Sequence, residues 1–180
     1  FRRVLFRSWN SSQFNAMTTL QVAALGTDQI GFIDASDVTG FTSSQIAAMD
    51  SAQIGSLTTS QAILLSTAQI RAIETRDIGG LTTDQLSALS SAQLASLSTV
   101  QFGQLNSIQL SAIEVADMAG LTTAQIRGIN TNDITSLSTL QIAGLSSSQI
   151  NAMTTLQVSL LSTDQVAAIE SRDIGALTTS

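Results

Sequence analysis

From Gln13 to Asp173 every eighth residue is Gln or Asp, sixteen Gln and five Asp in twenty-one slots. The residue after each slot, from Phe14 to Ile174, is apolar every time, with Ala62 the smallest. The residue three positions further on, from Met17 to Leu177, is apolar every time as well. The unit is L-[ST]-T-x-Q-I-x-x, and the last two positions are usually small. A period of eight excludes most regular architectures. Eight residues at about 100° each advance a helix by about 800°, so one continuous helix would rotate its apolar stripe by about 80° per unit and lose any single face. In a strand the apolar pair, spaced by three and then five, would point to opposite faces of the sheet.

The spacing suits a short helix that restarts in every unit. S/T-x-x-Q is a capping box: the hydroxyl accepts from the backbone N–H three residues on, and the Gln side chain reaches back to the N–H of the cap. Thr82 with Gln85, Ser90 with Gln93, Thr122 with Gln125 and Ser138 with Gln141 fit this box. Within the turn the apolar pair, such as Leu86 and Leu89, stands at i and i+3 on one side. The next Ser or Thr competes for backbone hydrogen bonds and stops the helix from running on. One octad buries two large apolar side chains, too little to offset the ordering entropy of eight residues, so stability must come from stacking. The predicted fold is all-α: a solenoid of very short helices, one per octad, over residues 9–180. Ala and Gly at the unit's end, such as Gly79 and Gly80 or Ala167 and Ala168, would let neighbouring turns approach closely or let the chain bend. A β-solenoid is the alternative, which the many Thr would favour.

A second period overlies the first. The five Asp slots are Asp37, Asp77, Asp117, Asp133 and Asp173, separated by five, five, two and five octads. Each belongs to a unit that begins with Ile: IDASD, IETRD, IEVAD, INTND and IESRD. Five octads thus form a 40-residue super-repeat with one shortened copy. The super-repeat supplies the only constellation with chemical potential, the pairs Asp34/Asp37, Glu74/Asp77, Glu114/Asp117 and Glu170/Asp173. Carboxylates three apart at a helix start are expected to satisfy free N–H groups and favour the helix dipole. Shared calcium is the alternative reading, and acid–base catalysis the most distant. Arg76 and Arg172, each beside an Asp, are expected to form surface ion pairs.

Composition removes whole classes of function. The chain has no Cys and no His, so thiolate chemistry, imidazole bases and the usual zinc sites are out of reach. Residues 9–180 carry four Arg and no Lys against thirteen acidic side chains, which argues against nucleic acid as a partner. No apolar run approaches the roughly 20 residues that a membrane-spanning helix needs. No enzyme, cofactor or firm metal site is expected.

Residues 1–8, FRRVLFRS, hold three of the seven arginines and match nothing after them. They resemble the end of a short-read sequencing adapter translated in frame, and are expected to lie outside the fold as a non-native leader. The chain stops at LTTS, where the pattern would next demand Gln, and so reads as a fragment of a longer array. Trp9 is expected in the core or as an end cap. Phe32, Leu64 and Leu160 break the small-residue rule at the unit's end and are expected to fill a wider part of the core or form a local patch.

The units LTTAQI, LSTAQI and LTTDQL resemble the T-T-x-Q-I-x-x-L octapeptide arrays of very large bacterial proteins of the surface or secreted type. That resemblance implies a structural repeat segment, extracellular or at the cell surface, partnered by flanking repeats of its own chain, and implies no active site. The alternative is a binding module that uses the repeat surface, with its ladder of hydroxyls, for protein, glycan or ice.

Overall fold

The computed structural model describes residues 9–169. Nearly every octad there contains a helix of four to six residues or a 3₁₀ segment, and no strand occurs among the described residues. The expected leader lies outside the described residues. The chain divides into two compact units, Phe1–Leu89 and Ser90–Ser180, each built of the same octads.

The local structure follows the capping chemistry. In helix Thr83–Ala88 the Thr82 hydroxyl accepts from the Gln85 backbone N–H, and Gln85 Oε1 accepts from the Thr82 N–H at 2.8 Å. The same box closes Ser91–Ser96, Thr123–Gly128 and Thr139–Ala143, as the spacing predicts. At Gly26 the cap has no side chain, and only the Gln29 half of the box remains. Helix Thr83–Ala88 ends because two residues then extend: Leu89 has ψ 137° and Ser90 ψ 157°. The bend needs no left-handed residue, and none with positive φ occurs among the described residues. The apolar Leu slot therefore turns the chain, and the next hydroxyl starts the next helix.

Packing sets the coil at three octads. In the first unit helix Thr27–Gly31 lies against Ser51–Ser56, Ser43–Ala47 against Thr67–Ala72, and Thr59–Ala62 against Thr83–Ala88. In the second unit Thr99–Phe102 lies against Thr123–Gly128, which lies against Ser147–Ala152, and Thr139–Ala143 lies against Thr163–Ala168. The helices of every such pair start three octads apart, as Thr59 and Thr83 do. Each unit is thus a helical solenoid of three-sided coils, with both apolar slots turned inward. Ile54, Ile70, Ile78, Leu86, Ile126 and Ile134 are fully buried.

The slot glutamines have a second role that the capping box does not imply. Gln85 Nε2 donates to the carbonyls of Ile54, at 2.9 Å, and Leu57, at 2.6 Å, which are 31 and 28 residues earlier. Gln45, Gln53, Gln61 and Gln69 do the same in the first unit. Gln125, Gln141, Gln149 and Gln157 do so in the second. Each buried amide closes the N-terminus of its own helix and the C-terminus of a helix in the preceding coil, where carbonyls lack partners inside the helix. Its one acceptor and two N–H groups are all used. Among the described residues no buried side-chain nitrogen or oxygen lacks a partner.

Of the two readings for the large residues at the unit's end, the wider core is removed at Leu64 and Leu160, which are 43% and 40% exposed, and the local apolar patch agrees with Ile63, 48% exposed beside Leu64; Phe32 is half-buried. Gly79 has open space where a Cβ would stand, so only Gly80 of that pair serves close approach. Ala167 is exposed and Ala168 half-buried. Trp9 is half-buried, with its ring 5.5 Å from that of Phe14, which in turn lies 5.3 Å from Phe41.

This packing makes the slot and the apolar pair sensitive to charge. Gln85→Glu keeps the cap acceptor but aims a carboxylate at two carbonyls, and should cost about 2–4 kcal/mol in chemical unfolding at pH 7. Burial against carbonyls raises the pKa of the introduced carboxyl in the folded state, so the deficit should shrink as pH falls through the ordinary Glu range and be fullest above the raised pKa. Ile126→Asp should cost more than about 3 kcal/mol. Ala124→Asp, on the exposed face of the same helix, should shift the unfolding midpoint little.

Candidate functional site

The carboxylate pairs are the first place to seek chemistry, because they alone combine proximity with charge. Asp34, Glu74 and Glu114 stand at the residue before the first turn of their segments, as expected, but none of them makes a side-chain capping bond. The capping part of the expectation is corrected. These octads enter their turn with ψ of 136–146°, against 152–162° at the Thr and Ser caps of the Gln octads. The carboxylate that does cap is Asp50, whose Oδ1 accepts from the Gln53 N–H at 2.8 Å.

Within each pair the two carboxylates have different surroundings. Glu74 is exposed, whereas Asp77 is 6% exposed. Asp37 and Asp117 are half-buried, behind exposed Asp34 and Glu114. Arg76 joins one pair, 2.8 Å from Glu74 and 3.2 Å from Asp77, with its own side chain 76% exposed. An ion pair so exposed contributes ~0–1 kcal/mol. Glu170, Arg172 and Asp173 lie outside the described residues.

The super-repeat keeps the pairs apart. In the first unit Asp37 and Asp77 are five octads apart while a coil takes three, so they fall on different sides of the solenoid. In the second unit Asp117 and Asp133, two octads apart, also fall on different sides. Among the described residues no three His, Cys, Asp or Glu side chains are grouped to hold a metal ion. Calcium takes six to eight oxygens, more than one such pair brings.

The rest of the surface combines small polar residues with scattered apolar side chains. Ser11, Ser12, Asn15, Thr39 and Gly40 line an open concavity of about 280 Å³ in the first unit, and Asn15 Nδ2 donates to the Gly40 carbonyl across 3.2 Å. It contains no titratable group. The fourth slot of the octad carries exposed apolar side chains, among them Leu20, Val100, Ile108 and Leu140. One coil further along, the same slots hold Ser44, Ala124, Asn132 and Asp164, so no apolar column forms. Among the described residues no helix is long and apolar enough to cross a membrane.

Reading the sequence overlooked the residues that matter most to the assembly, the buried glutamines. The signal was present: a capping box accepts Glu as readily as Gln, yet none of the twenty-one slots holds Glu. Only a buried amide that must also donate forbids that substitution.

If the pairs are not ligands, thermal melting should be the same with excess chelator and with millimolar calcium. A rise in melting temperature on adding calcium would show a site that binds the folded state.

Comparison with curated proteins gives no match. Residues 64–91 and 110–147 match the ALTTAQ repeat, so over those two stretches, one reaching into each compact unit, the chain is similar to that repeat family.

Proposed function

We propose that this chain is a spacer segment of a larger bacterial surface or secreted protein, an array that sets a distance between other domains. The observation that carries this reading is where sequence variety is tolerated. The fourth slot is exposed and holds Ser, Leu, Asp, Ala, Arg, Val, Ile and Asn in different octads. The slot beside it is Gln in sixteen octads, buried in thirteen of them, and bonded to the coil before it wherever a complete coil precedes it in its unit. Regularity is thus concentrated in coil-to-coil contacts and absent from the face a partner would read. A repeat that fixes its own stacking and leaves its surface free suits a part that serves by length. The scattered carboxylate pairs and the small, uncharged concavity favour the same reading. The resemblance to exported octapeptide arrays supports placing it outside the cell.

The test removes one whole coil. Deleting residues 42–65 joins Phe41 to Ser66 and returns Gln69 to the place of Gln45, with Phe14 and Met17 again at the offsets of its two carbonyl partners. The shortened chain should keep its helical signal and its stability per octad, and the parent protein should keep its activity with a shorter reach. Deleting residues 42–61 instead joins Phe41 to Ala62, breaks the octad register, and should abolish cooperative unfolding around the junction. Loss of one specific ligand on the whole-coil deletion would favour a binding module over a spacer.

A further inference from the structure

The Asp octads differ from their neighbours in three respects that act together. The first is chemical. Asp77 occupies the slot from which a Gln would donate to the carbonyls of Ile46 and Met49, the counterparts of Ile54 and Leu57 for Gln85. An aspartate is one methylene shorter and, ionised, only accepts hydrogen bonds. The Asp77 carboxylate is instead engaged by Arg76 Nε at 3.2 Å, within its own octad. The second is local structure: Ala35–Gly40, Thr75–Gly80 and Ile134–Ser136 form 3₁₀ segments where every Gln octad forms α-helix, while the Asp117 octad forms a four-residue α-helix such as the Gln octads Thr59–Ala62 and Thr99–Phe102 also have.

The third is how these octads meet the coil before them. A Cβ on Gly40 or Gly80 would lie 2.1 Å from the carbonyl oxygen of Ser11 or Ser51, so only glycine fits. In the Gln octads of the first unit the equivalent position holds Ala16, Ala24, Phe32, Ala48, Ser56, Leu64, Ala72 and Ala88. The first unit thus has two kinds of coil contact. One is tied by a buried amide with two donated hydrogen bonds. The other is backbone laid on backbone, with no side-chain amide in the slot.

We infer that the Asp octads are the yielding joints of the array, the places where a coil separates first from the one before it when the solenoid is heated or pulled. A missing amide bridge lowers the free energy of local opening directly, because the two hydrogen bonds that tie a Gln octad to the coil before it are not there to be broken; the Ile46 carbonyl keeps its local bond from the Met49 N–H at 3.1 Å. Close backbone contact supplies short-range dispersion, which vanishes over a small displacement. The five-octad super-repeat, set against a three-octad coil, places Asp37 and Asp77 on different sides of the first unit, so neither joint adjoins the other. This inference concerns the fold alone and holds whether the array is a spacer or a binding surface.

The test exchanges whole octads, because the glycine and the aspartate belong to one packing mode. Replacing residues 73–80, IETRDIGG, with LTTDQLSA, the sequence of residues 81–88, supplies an amide opposite Ile46 and Met49. In the full chain, hydrogen exchange should slow about tenfold in peptides from residues 42–49, and the melting temperature should rise. The reciprocal change, IETRDIGG at residues 81–88, should speed exchange in residues 50–57 by a similar factor. Unchanged or faster exchange in the first variant, or its failure to fold, would overturn the inference and make the Asp octad a required clamp. An unaltered rate in the reciprocal variant would overturn it as well.

Discussion

Within each unit a Gln octad with a complete coil before it is held to that coil by a primary amide whose oxygen and both N–H groups are engaged. A slot glutamine has one oxygen and two N–H groups to place, and in a dry interior all three must find partners. Gln85 places them on the Thr82 N–H and on the Ile54 and Leu57 carbonyls. Two of those partners belong to the previous coil, so the side chain fixes the coil at three octads as well as starting a helix. Shortening it withdraws both long-range donors. Replacing it with Glu turns both into acceptors facing carbonyls, which is why the apparent freedom of a capping box is not used here.

This constraint explains why helices of four to six residues persist at all. Helices of that length are unstable alone, because nucleation costs more than so few hydrogen bonds return. Here nucleation is assisted at both ends. The hydroxyl and the amide satisfy the first N–H groups, and a Gln of the following coil satisfies the last carbonyls. The apolar slots then add burial that grows with each coil. Cap, core and coil contact therefore depend on one another, and the array gains stability by neighbour interactions as repeat proteins do.

Much of this was legible in sequence, because its determinants are local. The box of Thr122 with Gln125 lies within one turn, and so does the inward pair Ile126 and Ile129. Three octads per coil was not legible, since no spacing within an octad encodes a partner in another coil. The first turn of the Asp octads was misjudged for a related reason. Carboxylates at Asp34 and Glu74 have the spacing of caps, but these octads adopt 3₁₀ turns pressed on Ser11 and Ser51, and the cap geometry is lost. At Leu64 and Leu160 hydrophobicity alone left two readings open, and the exposed one holds, because the coil interior is already filled by the two regular apolar positions.

The central claim is that the slot glutamines are structural donors between coils, and their side-chain N–H groups report on it directly. In ¹⁵N-labelled protein the amide protons of Gln45, Gln53, Gln61, Gln69 and Gln85 should exchange with solvent at least about a hundredfold more slowly than those of exposed Gln13 and Gln21. They should also show contacts to the residues whose carbonyls accept from them, Ile54 and Leu57 in the case of Gln85. Exchange of all the slot glutamines at the rate of a free side chain would contradict the account.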